Sequence, residues 1–343
     1  MTVFSASEYD GHRIVHFVND PRGKLRAVIA LHRIVPRAGG GIRMASYANE
    51  DDAITDALRL SRAMTYKWAF AGINRGGGKT VIIGDPKTDK TEDLLHAIGH
   101  AIERLGGIYY GGSDVGTSHE DMRVIQDVTS YVRGADPDHG DSSAATAYGV
   151  LQGIRAAAKY AFHRDELAGL KIAVQGLGHV GKELCRLLSE QDAVLTVADV
   201  NAAAVEDVVA SYGAHAVDPA EILQADVDIL APCAMGGVIT VGNSRSIKAK
   251  VICGGANNQL ATDKVAEFLR AYHILFVPDY AVNSGGIVNG IAEGPNYDRA
   301  RVWAKLDKIY GCCLEVFDRA EAQNITTVDA ANQMCEAVIR QLG

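Results

Sequence analysis

Apolar positions along this chain recur at two spacings, and the switches between them mark out the elements. Residues 12–18 and 25–32 are short runs of strand-forming residues separated by Asn19-Asp20-Pro21-Arg22-Gly23, a turn-rich break that predicts a hairpin. Over residues 51–67, Ile54, Leu58, Ser61 and Met64 share one face of a 3.6-residue period, which predicts a helix. A second helix is predicted over 92–105: Thr91 caps it, Leu95, Ile98, Ile102 and Leu105 form its apolar side, and Gly106-Gly107 ends it. The polar stretch 136–143 (DPDHGDSS) then separates two periodic blocks and reads as a hinge or domain boundary. Beyond it, continuous apolar runs at 171–175, 194–198, 229–231, 251–253 and 274–277 are mostly separated by helical patterns. Such runs predict a parallel sheet covered on both faces. Residues 298–322 and 328–342 read as closing helices.

Composition narrows the class without changing that picture. At 343 residues, with 48% hydrophobic and 22% charged, the chain is an ordinary globular protein of about two domains. A formal net charge of −8 without a basic run argues against nucleic-acid binding. The lack of a long apolar stretch or a leader-like N-terminus argues for a cytoplasmic protein away from membranes. Cys185, Cys233, Cys253, Cys312, Cys313 and Cys335 form no C-x-x-C pair, and the eleven histidines show no zinc spacing. Free thiols and no metal are therefore expected.

Gly176-Leu177-Gly178-His179-Val180-Gly181 is a G-x-G-x-x-G placed after a predicted strand and opening a predicted helix. In that context the first glycine makes a tight turn, the second admits a pyrophosphate, and the third lets helix and strand pack closely, while the helix N-terminus faces the phosphates. The next strand leads to Asp199, placed to bind the ribose hydroxyls of NAD and to repel the 2′-phosphate of NADP.

A second concentration of chemistry lies upstream. Lys67 ends the 51–67 helix; Lys79 follows Gly76-Gly77-Gly78; Asp114 follows the apolar run before it. Gly-Lys-Thr at 78–80 is not a phosphate-binding P-loop, because position 73 is isoleucine and the next element is a predicted strand. Three glycines would let the backbone approach a small ligand. Two lysines in one partly dry site would repel, so that one deprotonates readily and acts as a base, and Asp114 would exchange a proton with a substrate amine. Surface lysines and a turn aspartate are the plain alternative.

The stretches GGIRM (40–44), DALRLSRAMTYK (56–67), GGGKTVIIGDP (76–86), SDVGTSHEDM (113–122), AVQGLGHVGK (173–182), APCA (231–234), GGANNQL (254–260) and PDYAVNSGG (278–286) resemble, in order and across almost the whole chain, the NAD-dependent amino-acid dehydrogenases. The likeness is to the leucine and phenylalanine dehydrogenase branch of the glutamate-leucine-phenylalanine-valine superfamily. It implies an N-terminal α/β substrate domain (1–138, with a C-terminal helix of about 326–343 able to pack back on it), a C-terminal Rossmann-type NAD domain (139–325) and a cleft between them. It further implies that Lys67 and the Gly40-Gly41 backbone hold the substrate carboxylate, that Lys79 activates water, and that Asp114 shuttles the amine proton. Thr146 would contact the nicotinamide carboxamide, and Asn257 would lie near both nicotinamide ribose and substrate. Gly176, Gly178, His179, Val180, Gly181, Asp199 and Ala234 would complete the NAD site.

The side-chain pocket would be lined by Gly39, Met64, Gly112, Ile287 and Gly290. Leucine-specific members are expected to carry leucine, alanine and valine where this chain has Gly39, Gly112 and Gly290. Three glycines then imply a roomier pocket and a bulky or aromatic L-amino acid such as phenylalanine, with leucine the alternative, unless Trp68 fills the space. With no lysine or arginine among the pocket positions, a glutamate side chain would lack a partner. Glu293-Gly294-Pro295-Asn296 departs from the smoother helix start expected in the leucine branch. The family's oligomers imply a homo-oligomer, dimer or octamer. A non-catalytic NAD-binding protein on the same fold is the alternative from another class.

Overall fold

A computed structural model describes residues 2–134, 142–292 and 297–342. The chain divides into two compact units. The first comprises Met1–His139, Glu293–Pro295 and Glu336–Gly343, and the second Gly140–Ala292 and Asn296–Cys335. Most of the expected hinge at 136–143 and the Gly294-Pro295 break lie outside the described residues; a helix, Ser142–Phe162, starts at the end of the former.

In the first unit the predicted hairpin forms from β1 (Ile14–Asp20) and β2 (Leu25–Leu31), paired from Ile14 with Leu31 to Asp20 with Leu25. Strands β3 (Ala38–Ala45), β4 (Gly76–Ile83) and β5 (Tyr109–Ser113) extend it to a sheet of order β1-β2-β4-β3-β5. β4 is antiparallel to β2, and β3 is parallel to both β4 and β5. The predicted first helix runs Glu50–Phe70, capped by Asn49 and carrying Glu50, Asp51 and Asp52 in its first turn, where carboxylates suit the helix dipole. Its fully or nearly buried stripe is Ala53, Ala57, Ser61 and Thr65, beside Leu58. Ile54 and Met64, expected on the buried face, are half-buried.

Close packing on β4 explains the difference. A Cβ at Gly77 would stand 2.2 Å from the Thr65 nitrogen and 2.3 Å from the Ser61 oxygen, so only small residues fit where helix backbone meets glycine strand. The three glycines are thus buried inside a strand and lie against protein. They do not form a loop open to a ligand, as the sequence suggested: a Cβ at Gly76 would strike the Arg33 carbonyl, and one at Gly78 the Tyr109 ring. Glu92–Glu103 is capped by Thr91 as predicted, and Gly106 and Gly107, both at positive φ, follow it. Leu94, Leu95, Ile98 and Ile102 of this helix join Leu25, Ile29, Leu31, Ile42 and Tyr109 in the core.

The second unit holds six parallel strands: β6 (Lys171–Gln175), β7 (Val194–Ala198), β8 (His215–Ala216), β9 (Ile229–Pro232), β10 (Val251–Ile252) and β11 (Leu275–Phe276). Their order, β11-β10-β9-β6-β7-β8, reverses between β6 and β9. That is the Rossmann arrangement, whose ligand crevice opens at the carboxyl ends of the strands where the order reverses. Ile172, Ala173, Val174, Leu230, Ala231 and Ile252 are buried without polar alternation, as a sheet covered on both faces requires. The helix predicted over 298–322 is two, Arg299–Leu306 and Lys308–Gln323. They meet at Asp307, whose carboxylate accepts hydrogen bonds from the Tyr148 hydroxyl (2.6 Å) and the Gln152 amide (3.2 Å). In the last helix, Thr327–Leu342, residues from Glu336 onward belong to the first unit, where the Tyr66 hydroxyl donates to the Glu336 carboxylate.

Candidate active site

In the first unit the chemistry gathers on the face of the sheet shared by Gly39, Gly41 and Arg43 on β3, since alternate strand residues point the same way. Lys79 lies inside β4 and is 5% exposed; its Nζ is 2.5 Å from Oδ2 of Asp114, which follows β5 directly. The Arg43 Nε donates to the same oxygen at 3.0 Å, and its Nη1 donates to Asp56 at 2.9 Å. Asp56 in turn accepts from the Tyr47 hydroxyl (2.7 Å) and from Arg59 (3.0 Å). Burial pushes the Lys79 ammonium pKa down against the pull of Asp114 upward, with Arg43 pushing further down. Asp114 also feels burial, which raises its pKa, but Lys79 and Arg43 outweigh it and hold the carboxyl below the ordinary range. The sequence attributed a weakened lysine to a second lysine nearby; burial is the main cause, and Arg43 is the cation that adds to it.

Glycine at 41 is a condition of this arrangement. A Cβ there would stand 2.7 Å from the Asp114 Cβ and 3.0 Å from the Lys79 Nζ. The β3–β4 ladder also skips Gly40 and Gly41, pairing Gly39 with Gly77 and next Ile42 with Thr80, because the Gly78 carbonyl comes too close to Gly40 for any side chain. Lys67 is half-buried in the last turn of the Glu50–Phe70 helix. Lys67 and Trp68 follow Met64 by three and four residues, so both neighbour it on the helix surface.

The three glycines that the resemblance assigns to the side-chain pocket differ in their own surroundings. A Cβ at Gly112 would meet only the Arg133 carbonyl at 3.8 Å, and one at Gly290 would meet nothing within 4 Å. At Gly39 the space is bordered by the Arg75 Cδ (3.0 Å) and the Trp68 ring (3.2 Å). No lysine or arginine occupies one of these positions, as the sequence has it, yet a cation stands next to one of them. Arg75 is distant from them in the chain but comes beside Gly39 because β3 and β4 pair there.

In the second unit the three glycines of the turn differ in the way a pyrophosphate site demands. Gly176 has φ 91°, and a Cβ there would strike Ala234 after β9; Gly178 has open space where a Cβ would be; Gly181 is pressed against the Gly176 carbonyl. The helix His179–Ser189 has no side-chain cap, which leaves its first N–H groups for an anion. Val180 packs beside Gly255 in the loop after β10. Asp199 accepts from the Leu177 N–H (2.6 Å) and the Asn201 N–H (2.8 Å), so it pins the glycine turn as well as flanking it. These residues fit a dinucleotide: the cradle at Gly178 is one a side chain would fill.

Asn257 accepts at Oδ1 from the Asn283 amide (2.8 Å), which also donates to the Gly255 carbonyl (3.2 Å). Three residues on, Gly286 faces the Thr146 hydroxyl, which donates to the Ser142 carbonyl at 2.7 Å. Ile287 follows, half-buried, on the helix Gly285–Ala292. Nothing in the sequence singled out Asn283, Arg43, Asp56, Tyr47 or Arg75, although Arg43, Asp56 and Asn283 stand inside the motifs GGIRM, DALRLSRAMTYK and PDYAVNSGG. Among the described residues no group of three or more His, Cys, Asp and Glu is placed to hold a metal ion.

A Rossmann-type sheet with a phosphate-ready glycine turn, joined in one chain to an α/β unit bearing a buried lysine–aspartate pair, defines a two-domain, dinucleotide-linked oxidoreductase. The chain belongs to the glutamate/leucine/phenylalanine/valine dehydrogenase family, whose dimerisation domain matches residues 13–131 and whose second domain matches residues 140–341. It is 45% identical over 347 residues to the leucine dehydrogenase of Bacillus subtilis (strain 168), covering 100% of this chain and 95% of the relative. It is 41% identical to the phenylalanine dehydrogenase of Caldalkalibacillus thermarum (strain TA2.A1), covering 98% and 93%. The crystal structure of L-tryptophan dehydrogenase from Nostoc punctiforme superposes with a TM-score of 0.86 at 40% identity over 97% of each chain. The protein is an amino-acid dehydrogenase that takes NAD.

Proposed function

We propose that this enzyme catalyses the reversible oxidative deamination of a bulky apolar L-amino acid, phenylalanine ahead of leucine, to the 2-oxo acid and ammonia. The buried Lys79–Asp114 pair beside Gly41 is the observation that carries the reading. Residues 1–138 hold the amino acid and residues 139–325 hold NAD, which accepts a hydride from the substrate α-carbon when bound. Lys67 and the Gly40-Gly41 backbone, which stands out of the β4 ladder, fix the substrate carboxylate. Asp114, kept ionised by Lys79 and Arg43, accepts the proton of the substrate ammonium. Lys79, its charge weakened by burial, then takes a proton from the water that adds to the iminium carbon. It returns as an ammonium beside the resulting carbinolamine. Asn257, oriented by Asn283, and Thr146 serve the nicotinamide end.

The open space at Gly112 in the first unit supports a large side chain, and the relatives act on leucine, phenylalanine and tryptophan by name. The test is the rate of NAD+ reduction with a panel of L-amino acids, and of ammonia-dependent NADH oxidation with the matching 2-oxo acids. A leucine kcat/KM above those of phenylalanine and tryptophan defeats the large-pocket reading.

Asp199 sets the coenzyme in this proposal. Two like charges about 4 Å apart repel by about 1–4 kcal/mol between bulk water and a protein surface, so the carboxylate excludes a 2′-phosphate at least about fivefold. Asp199→Ala weakens NAD+ binding, because the Leu177 hook goes with the charge, and lets NADP+ compete. Asp199→Asn keeps an acceptor for that N–H and moves preference toward NADP+ with less loss of NAD+. Dissociation constants for both coenzymes check this, and an unchanged ratio in both variants removes Asp199 from the role.

A homo-oligomer in the cytoplasm completes the proposal. The family's first domain is described as a dimerisation domain, and Cys185, Cys233, Cys253, Cys312 and Cys313 are free thiols, as suits a reducing compartment. No helix among the described residues is long and apolar enough to cross a membrane.

A further inference from the structure

On the face that carries Lys79 and Asp114, the β3 positions Gly39 and Gly41 are paired with Tyr110 and Gly112 of β5. Gly41 abuts the Lys79–Asp114 pair, and Gly39 and Tyr110 are the next positions along this face. That end is built from cations and rings. The Arg75 guanidinium lies 5.6 Å from the centre of the Trp68 ring and 5.7 Å from that of Tyr110. Arg37 and Arg133 lie 5.3 and 5.0 Å from the same Tyr110 ring. Arg37 also donates to the Tyr110 hydroxyl (2.9 Å), and Arg133 to the carbonyls of Ser130 (2.9 Å) and Val132 (3.0 Å).

Arg75 differs from its two neighbours. It is half-buried, yet among the described residues its side chain makes neither a hydrogen bond nor an ion pair. Burial first, with Arg37 and Arg133 adding to it, presses its pKa below the usual guanidinium range; Tyr110 pulls the other way, and no carboxylate helps it. Trp68 cannot move over it freely, because its indole N–H donates to the Gly39 carbonyl at 3.0 Å.

We propose that Arg75 is a specificity-determining residue, whose guanidinium, set beside Trp68, Tyr110 and the side-chain-free strip at Gly39, Gly41 and Gly112, selects aromatic over aliphatic substrate side chains by taking the substrate ring as a further π partner. An aliphatic side chain in that space strips water from an uncompensated cation and returns nothing, whereas the negative face of a ring within about 6 Å attracts it. Paired glycines leave a flat strip suited to a planar group. The inference rests on the amino-acid dehydrogenase reading of Lys79 and Asp114 and deepens it to a substrate class.

The experiment compares kcat/KM for L-phenylalanine, L-tryptophan, L-leucine and L-glutamate in the full-length wild type, Arg75→Leu and Arg75→Lys. Thermal melting and NADH binding serve as controls for folding. In the wild type the aromatic substrates lead. In Arg75→Leu the phenylalanine-to-leucine ratio falls at least tenfold, chiefly through KM, because the ring contact is the same in ground and transition states. Arg75→Lys, which keeps the charge and loses the planar group, falls between. A ratio that moves in neither variant overturns the inference, as does a wild type that prefers leucine. A wild type that prefers glutamate and loses it in Arg75→Leu also overturns it, since the cation then binds a carboxylate. An enzyme that forms no NADH with any of the four removes the dehydrogenase reading and this inference together; an active enzyme with an unmoved ratio removes this inference alone.

Discussion

Lys79→Ala is expected to lower kcat at least about a thousandfold while NADH binds within about twofold of the wild type. A positioned acid–base group contributes ~10²–10⁴ in rate, and a preorganised charge at the reacting centre adds to that. Lys79 combines both parts in the proposed reaction, as base toward water and as ammonium beside the carbinolamine. Among the described residues no other lysine replaces it in contact with Asp114, whose remaining ionic partner there is Arg43. The fold has reason to survive: Arg43 still neutralises the carboxylate, and the glycine strand is held by its ladders to β2 and β3. The proposed coenzyme site, in the other unit, contains none of the altered atoms. Steady-state assay beside a fluorescence titration with NADH checks both halves. Retained turnover removes Lys79 from its role, and lost NADH binding shows that the substitution acts through the structure.

The parts of this enzyme legible in the sequence are those encoded over short spans. The glycine turn at 176–181 declares itself because strand, turn and helix are consecutive, and each glycine answers a local demand on φ or approach. The 92–103 helix declares itself through its cap and period. What stays hidden depends on pairing between distant strands. Arg43 and Asp114 are 71 residues apart and meet only because β3 and β5 lie side by side. Arg75 reaches Gly39 through the β3–β4 pairing in the same way. The triple glycine misleads for a related reason: its flexibility suggests a ligand loop, while its actual use is close packing, with the Arg33 carbonyl on Gly76, the Ser61–Thr65 backbone on Gly77 and the Tyr109 ring on Gly78. Small residues facing a glycine strand also blur the helical period, since alanine, serine and threonine carry little hydrophobic signal where packing is tightest.

Asp114→Asn and Arg43→Gln should move the pH profile in opposite directions. Turnover that needs neutral Lys79 rises as pH passes upward through its pKa, which lies below the ordinary lysine value because burial disfavours the ammonium. Asp114 partly restores that ammonium, so its replacement by asparagine lets the Lys79 pKa fall further and shifts the ascending limb of log kcat to lower pH. The plateau drops by ~10²–10⁴, because the proposed acceptor of the amine proton is gone. Arg43 acts with the opposite sign: it holds down the pKa of both Lys79 and Asp114. With glutamine at 43 the ascending limb moves to higher pH, and a milder loss follows from a carboxylate no longer fixed between two cations. The Tyr47–Asp56–Arg59 cluster behind Arg43 stays in place and limits structural damage. Profiles of kcat for the wild type and both variants under saturating NAD+ decide the matter. Limbs that move together, or a limb that stays fixed in Asp114→Asn, mean that the group titrating in turnover is not a lysine governed by this carboxylate.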